Sequence, residues 1–303
     1  MMDYLVTPWH HTFMQHAFIA IVLVGIICGV TGVFVTLRGL AFLGDALSHA
    51  IFPGVVIAFI SGGNFLLGAL VAAVIVSFGI GAVSQSGRIS NDTAIGVLFA
   101  GAFALGVAIL STQRSYTRDL NAFLLGSILG VGRQDLMLIG IVGLLVLSIV
   151  FWFRRELTTV SFDRTFAKAS GLDLWFYDQL FLLMLAFTIV VSLQTVGNIL
   201  VLAMLVTPAA TARLLTDRMQ VMIVLSASLG AVSGVIGLYL SYYQGFPSGS
   251  SVVLVSTAIF LLTFLFAPRT GVITSRVMRQ LHHAHPERDD FQAPAADTSP
   301  TTL

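Results

Sequence analysis

The sequence predicts an all-α membrane protein, a polytopic bundle of about eight to ten transmembrane helices. Of its 303 residues, 57% are hydrophobic and only 10% are charged. A soluble domain carries roughly 25% charged residues, so this chain cannot cover a water-exposed surface. Apolar runs close to the roughly 20 residues that span a bilayer recur along the chain. Helices satisfy their own backbone hydrogen bonds in hydrocarbon, so we expect these runs to be helices in contact with membrane lipid.

Nine apolar runs are candidate spans: 17–37, 47–62, 65–83, 93–111, 136–153, 178–196, 197–215, 219–241 and 251–267. A further stretch, 120–131, is too short to span comfortably and could be re-entrant. We expect an N-terminal interfacial segment at 1–16 and a transmembrane domain at 17–279. Residues 280–303 offer little to bury, which predicts a disordered cytoplasmic tail.

Basic residues in the connections predict the orientation of the chain. Four of them cluster between the fifth and sixth runs: Arg154, Arg155, Arg164 and Lys168. Because cytoplasmic connections carry the excess of Lys and Arg, residues 154–177 should be cytoplasmic, as should the tail. In the N-terminal half, the basic residues fit two orientations equally well. If 120–131 crosses the membrane the N-terminus is cytoplasmic, and if it is re-entrant the N-terminus is outside.

The residue inventory excludes several kinds of function. The single lysine, Lys168, lies outside the glycine frame of a P-loop, so any ATP hydrolysis by that route belongs to another polypeptide. The single cysteine, Cys28, excludes an internal disulfide and a thiolate metal cluster. A net charge of +1 argues against nucleic acid as a partner. No H-E-x-x-H motif is present, and we expect the chain not to be an enzyme.

One acid and one imidazole occur together near the start of the second run, at Asp45 and His49. Charges in hydrocarbon cost at least about 2.5–3.5 kcal/mol, so such residues are presumed functional. On a helix, the i, i+4 spacing places both side chains on one face, where they suit manganese, iron(II) or zinc. Pro53 and Gly54 predict a helix interruption, which is typical of transport sites. The alternative is that Asp45 is a helix N-cap and His49 its structural partner.

A second polar segment contains Gln194 and Asn198, again spaced i, i+4, followed by Thr207 and Pro208. Pro208 predicts a second interrupted helix, and the two interruptions suggest a distant internal repeat. Together with Ser48, the three polar residues of this segment could line a transport pathway or supply weak oxygen ligands. The alternative is ordinary hydrogen bonding between helices.

The predicted cytoplasmic connection contains a pattern typical of a short amphipathic helix over 157–172, ending at Gly171. Glycine is the usual residue just beyond a helix C-terminus. Such a helix could be a docking surface for another subunit. It could also be an interfacial helix that rests on lipid headgroups.

Four sequence blocks, in order along the chain, resemble a known family. They are 37–54 with its GDALSHA core, NDTAIG at 91–96, the 162–172 connection, and 194–215 from QTVG to PAATARLL. Over roughly 17–272 the chain resembles the permease subunits of bacterial ABC importers for manganese, zinc and iron. That resemblance implies a multi-pass protein of the bacterial inner membrane, with a fold similar to the cobalamin and siderophore importers.

The resemblance also implies the partners and the site residues. Asp45 and His49 match the family's intramembrane metal-binding motif in a homodimeric permease. An extracytoplasmic solute-binding protein would deliver the metal, and a separate ATPase subunit would bind ATP, so the chain itself would need no cofactor. The segment that would couple to the ATPase comprises Phe162, Asp163, Phe166, Ala167, Ser170 and Gly171.

Three questions stay open at the level of sequence. A stand-alone cation channel or a secondary metal–proton transporter, with Asp45 as the proton-linked carboxylate, is the alternative function. Carboxylate plus imidazole also does not separate manganese from zinc or iron. The tail histidines His282, His283 and His285 could form a cytoplasmic metal sensor.

Overall fold

The computed structural model describes residues 7–85, 89–112 and 128–267, and within these ranges the chain is helical and contains no strand. The α-helices in the described ranges are α1 (Thr12–Leu37), α2 (Ala41–Ala50), α3 (Phe52–Ile60), α4 (Phe65–Gln85), α5 (Asn91–Ser111), α6 (Arg133–Phe162), α7 (Arg164–Ala169), α8 (Leu174–Val196), α9 (Asn198–Leu215), α10 (Met219–Gln244) and α11 (Ser248–Phe266). Short 3-10 helices occupy Thr7–His10 and Ile128–Gly130.

Nine helical segments in the described ranges are long and apolar enough to cross a membrane, with α2 and α3 counted as one. Each overlaps one of the nine predicted apolar runs, so the prediction of a polytopic helical bundle is confirmed. The short stretch 120–131 lies mostly outside the described residues. The tail 280–303 with its three histidines, and residues 1–6 of the N-terminal segment, also lie outside them.

Contacts at the helix ends show which termini share a face of the bundle. Arg38, at the end of α1, donates hydrogen bonds to Ser161 at the end of α6 and to Asp178 near the start of α8. These ends, together with α7, define one face, which we call the α7 face. At the other end of α1, His16 Nδ1 lies 3.3 Å from the carbonyl oxygen of Val131. The start of α6 therefore lies at the opposite face.

The positions of the ends of α5 bear on the two orientations that the basic residues leave open for the N-terminal half. Asn91, the first residue of α5, lines a cavity together with Arg38 at the α7 face. The 21 residues of α5 extend about 32 Å, which carries Ser111 to the opposite face. The chain therefore leaves α5 and enters α6 on the same face. Among the described residues, α1 therefore begins opposite the α7 face, as in the alternative that places the N-terminus and residues 154–177 on different sides of the membrane.

The centre of the bundle is formed by α1, α2–α3 and α8, the spans with the largest buried share. Small residues bring α1 and α10 into backbone contact: a Cβ added at Gly25 would lie 2.7 Å from the carbonyl carbon of Gly230. One turn further along, the Ser226 hydroxyl donates to the Gly29 carbonyl oxygen at 2.7 Å. Lipid provides no hydrophobic drive between helices, so this close packing holds the bundle together.

The two predicted helix interruptions have different outcomes. The second span is interrupted at Ile51, and Pro53 occupies the first turn of α3, where proline is tolerated. The prediction that Pro208 interrupts a helix is wrong, because α9 continues through Pro208. The interruption lies instead at Gly197, between α8 and α9. Gly197 has a φ of +81°, a conformation that favours glycine.

The predicted amphipathic helix over 157–172 is also corrected. Residues up to Phe162 continue α6, which is kinked at Phe153. The chain becomes extended at Asp163, and only Arg164–Ala169 forms the separate short helix α7. Gly171 has a φ of +80° just beyond α7, as expected for a residue that follows a helix C-terminus.

Candidate functional site

Asp45 and His49 lie on one face of α2, as their spacing predicts. Their nearest polar atoms, Asp45 Oδ1 and His49 Nε2, are 3.6 Å apart. The opposite side of α2 is packed into the bundle, where Leu43 and Leu47 are each 1% exposed. In contrast, 42% of the Asp45 side chain and 35% of the His49 side chain are exposed. The acid–imidazole pair therefore opens outward from the single chain.

The imidazole of His49 is held by residues from two other helices. The side-chain amide Nδ2 of Asn198 lies 3.2 Å from His49 Nε2 and donates to it when that nitrogen is unprotonated. The rings of Phe99 and Phe103, both on α5, lie 5.9 and 5.8 Å from the imidazole, centre to centre. These contacts set the orientation of the imidazole and aim Nε2 at the space between Asp45 and Asn198.

Asn198 reaches this position because it is the first residue of α9, directly after the turn at Gly197. Gln194, four residues earlier, belongs to α8 on the other side of that turn. The two amides therefore do not share a helix face, although their spacing suggested it. The structure brings Asn198 alone of this pair to His49.

The other predicted pathway residues lie in different surroundings. Ser48 is 2% exposed, and its hydroxyl donates back to the Asp45 carbonyl oxygen at 2.7 Å. Thr207 is half-buried within α9, and its carbonyl oxygen accepts a hydrogen bond from the Thr211 hydroxyl. The Gln194 amide lies 3.5 Å from the carboxylate of Asp135. Within the described part of the chain, Ser48 therefore bonds only to the Asp45 backbone, and the hydrogen bonds of Gln194 and Thr207 lead to residues outside the acid–imidazole pair.

Asp135 is a polar residue that the sequence reasoning missed. One of its oxygens accepts a hydrogen bond from the Gly132 backbone N–H at 2.9 Å, which caps the start of α6, and the other faces Gln194. The available signal was its place immediately before an apolar run, where an acidic residue is typical of a helix start.

The acid–imidazole pair offers donor atoms for a divalent cation but is too small to fill a coordination sphere by itself. Among the described residues, no group of three or more His, Cys, Asp or Glu side chains could hold a metal ion. A carboxylate and an imidazole offer two ligands, and the amide oxygen of Asn198 could offer a third if the amide turns over. Within the part of the chain that the structure describes, any further ligands would have to be water or groups of a second protein chain. Oxygen and nitrogen donors of this kind suit manganese, iron(II) and zinc.

The α7 segment forms a second candidate surface. The Asp163 carboxylate accepts a hydrogen bond from the Phe166 backbone N–H at 2.9 Å and so caps α7. Ala167 is fully buried against the bundle, whereas Phe162 and Phe166 are 57% and 60% exposed. Ser170 and Gly171 end the helix and are exposed. The result is a short, capped helix flanked by outward-facing aromatic rings.

Comparisons with known proteins find relatives that match this chain over most of its length. Residues 10–267 match the ABC 3 transport family. The manganese transport system membrane protein MntC of Listeria monocytogenes is 47% identical over 266 residues, which cover 88% of this chain and 95% of that protein. A probable iron transport system membrane protein of Haemophilus influenzae is 38% identical and covers 90% of this chain and 97% of that protein.

Two solved structures share the fold. One is PsaBC from Streptococcus pneumoniae in complex with Fab, with a TM-score of 0.78 and 36% identity over 92% of this chain and 99% of that chain. The other, an inward-facing conformation of a putative metal-chelate type ABC transporter, has a TM-score of 0.65 and 18% identity, covering 82% and 84% of the two chains. The second likeness concerns the fold alone. This chain belongs to the ABC 3 transport family and is a multi-pass protein of the bacterial cell membrane.

Proposed function

We propose that this chain is the membrane-spanning subunit of an ABC importer for a divalent transition metal, with manganese as the leading cargo. The observation that carries the proposal is the Asp45–His49 pair, 3.6 Å apart on a transmembrane helix and open to the surface of the chain. The names of the manganese and iron transport relatives support the same cargo class.

The donor atoms support a hard or borderline cation. Asp45 and Asn198 offer oxygen, and His49 offers one imidazole nitrogen. The chain has a single thiol, on Cys28, which is buried in α1 away from the pair. Copper(I) favours thiolate and thioether ligands, so it fits this set poorly.

We also propose that two copies of the chain form a homodimer around the metal. Phe42, Asp45 and His49 follow one face of α2, and Phe42 is 87% exposed. A carboxylate facing lipid is costly, so this face needs a cover. A two-fold interface places the same face of a second copy opposite the first. Two acid–imidazole pairs then supply four ligands to one ion.

In this proposal the α7 face is cytoplasmic and docks a separate ATPase subunit, while a solute-binding protein delivers metal at the opposite face. Exposed Phe162, at the end of α6, and exposed Phe166, on the capped helix α7, support docking into a cleft. The proposed division is 1–16 as an interfacial segment, 17–279 as the permease domain with coupling segment 154–177, and 280–303 as a cytoplasmic tail. The chain itself hydrolyses no ATP.

Metal uptake into proteoliposomes tests this function. The complete complex of permease, ATPase and solute-binding protein is offered manganese, zinc and iron(II) separately, with and without ATP. We expect ATP-dependent manganese uptake that Asp45→Asn removes and that Asp92→Asn, at an exposed acid in the first turn of α5, leaves unchanged. Uptake by the permease alone, driven by a proton gradient, would instead support a secondary transporter.

A further inference from the structure

We infer that three side chains, Arg38, Arg164 and Asp178, connect α7 to the metal-site helix α2, so that a movement of α7 also moves α2. Asp178 is the central positioning residue of this connection. We call them the ion triad. Arg38 is the C-cap of α1, Arg164 is the first residue of α7, and Asp178 lies near the start of α8. The inference rests on the proposed coupling role of α7.

One carboxylate joins two guanidinium groups from different parts of the chain. Arg38 Nη1 lies 2.7 Å from Asp178 Oδ1, and Arg164 Nη2 lies 2.7 Å from Asp178 Oδ2. The side chain of Arg38 is 8% exposed and that of Asp178 is 22% exposed, so the contact is shielded from solvent. Charge-assisted hydrogen bonds at this distance are the strong ones, and a guanidinium group gives them a fixed direction.

Arg38 is also fixed from its other sides. Its Nε donates to the Ser161 hydroxyl at 3.0 Å, and its guanidinium carbon lies 4.2 Å from the centre of the Phe181 ring. Its Nη2 is buried and has no hydrogen-bond partner in the part of the chain that the structure describes. The Arg38 Nη2 group is therefore a hydrogen-bond donor that could gain an acceptor in a second arrangement of the triad.

The rest of α7 is loosely attached to the bundle. Ala167 is its only buried residue. A cavity of about 660 Å³ lies beside α7 and separates it from the ends of α4 and α5. With so little packing, the salt bridge from Arg164 to Asp178 is a principal link between α7 and the bundle. The cavity gives α7 room to move when a partner pulls on it.

The other arm of the triad leads directly to the metal site. After Arg38, the chain turns at Gly39, whose φ is +69°, and α2 begins at Ala41. Asp45 follows about 6 Å further along that helix. A change in the position of Arg38 therefore acts on α2 through a connection of only two residues. A coupling path needs a physically connected chain of this kind with two possible arrangements.

The test compares two basic residues of α7 in the complete complex. Arg164→Ala removes the link to α7 and leaves the buried Arg38–Asp178 salt bridge intact. Lys168→Ala removes the same charge from the same helix, but Lys168 forms no salt bridge with a described residue. Three quantities are measured: co-purification of the ATPase subunit, ATP hydrolysis stimulated by the metal-loaded solute-binding protein, and manganese uptake.

We expect Arg164→Ala to retain the ATPase subunit and its basal hydrolysis while stimulated hydrolysis and uptake fall. The expected decrease is about 5- to 150-fold, the usual range of a coupling between two sites. Lys168→Ala should resemble the wild type, and Arg164→Lys, which keeps one charge-assisted contact, should recover part of the uptake. Thermal unfolding of all three variants should match the wild type, because Arg164 is 53% exposed.

Equal uptake by the Arg164→Ala and Lys168→Ala variants would overturn the inference, as would loss of the ATPase subunit from Arg164→Ala alone, which would make Arg164 a docking contact. A failure of Arg164→Lys to recover any uptake would also count against it. The proposed function fails separately, and visibly, if the wild-type complex shows no ATP-dependent uptake.

Discussion

The two charged clusters of this protein differ in how closely their charges are paired and how deeply they are buried. In the ion triad, both oxygens of Asp178 accept at 2.7 Å, and Arg38 is almost fully buried over an aromatic ring. In the acid–imidazole pair, Asp45 and His49 are 3.6 Å apart and more than a third exposed. The closed cluster fixes a geometry. The open cluster leaves its ligand atoms accessible to an ion.

Because of this difference, substitutions in the two clusters should affect the stability of the fold to different extents. Removing one partner from a closed, buried network leaves an uncompensated charge, which is strongly destabilising. Removing the half-exposed Asp45 carboxylate should disturb the packing of α2 little, because Leu43 and Leu47 are buried on the opposite side of the helix. Loss of the buried Asp178 carboxylate should therefore lower the stability of the fold, whereas loss of Asp45 or His49 should lower uptake and leave stability unchanged.

The largest expected effect on transport comes from the pair itself. We expect Asp45→Asn or His49→Gln to reduce manganese uptake by more than about 100-fold, since loss of a residue that only supports a metal ligand already costs 10–100-fold. Uptake assays on membranes with matched protein abundance measure this. Thermal unfolding of the purified variants should match the wild type. A stable variant that still transports would remove the pair from the pathway.

The largest expected effect on stability comes from Asp178→Asn. This substitution leaves Arg38 buried without its charge partner, and we expect the free energy of unfolding to fall by about 3–5 kcal/mol. Denaturant titration of the detergent-solubilised protein measures it. Asp45→Asn is the matched control, because it makes the same chemical change in the open cluster. Equal stability of the two variants would contradict the distinction between the clusters.

A smaller effect is expected at Asn198, which connects the pair to a second helix. We expect Asn198→Ala to raise the half-saturating manganese concentration by about 10-fold, the lower end for loss of a group that orients a metal ligand. The maximal rate should change little. Gln194→Ala is the control, because the Gln194 amide faces Asp135 and not His49. A similar change in both variants would place Asn198 outside the metal site.

The smallest effect is expected at Gly197. Its φ of +81° and ψ of 164° lie in a region that is almost restricted to glycine, so Gly197→Ala should cost about 1–3 kcal/mol of stability. A slight displacement of Asn198 should weaken manganese affinity less than Asn198→Ala does. Gly96→Ala is the control, since a Cβ there meets no atom within 4 Å. If Gly197→Ala were as stable as Gly96→Ala, the turn would not need glycine.

Features set by neighbours in the sequence could be predicted. The nine spans depend on the length of each apolar run, and the shared face of Asp45 and His49 depends only on helical periodicity. The interruption before Pro53 follows from the same local rules. Pro208 failed as a helix breaker because neighbouring helices allow proline inside a membrane span.

Contacts between distant residues could not be predicted from one sequence. Asn198 and His49 are 149 positions apart, and Arg38 and Asp178 are 140 positions apart. Both contacts depend on how the helices are arranged, which hydrophobic patterns do not specify. For the same reason, counting basic residues left two orientations of the N-terminal half equally good. The contacts of Arg38 and His16, which join distant parts of the chain, show at which face each end of α1 lies.

The most direct test of the metal site is Mn²⁺ binding to the purified complex, followed by electron paramagnetic resonance with detection of nitrogen hyperfine coupling. We expect one bound ion for each pair of chains, with imidazole nitrogen coupling that His49→Gln removes. Binding of Mn²⁺ without nitrogen coupling, or binding that His49→Gln and Asp45→Asn both leave unchanged, would contradict it.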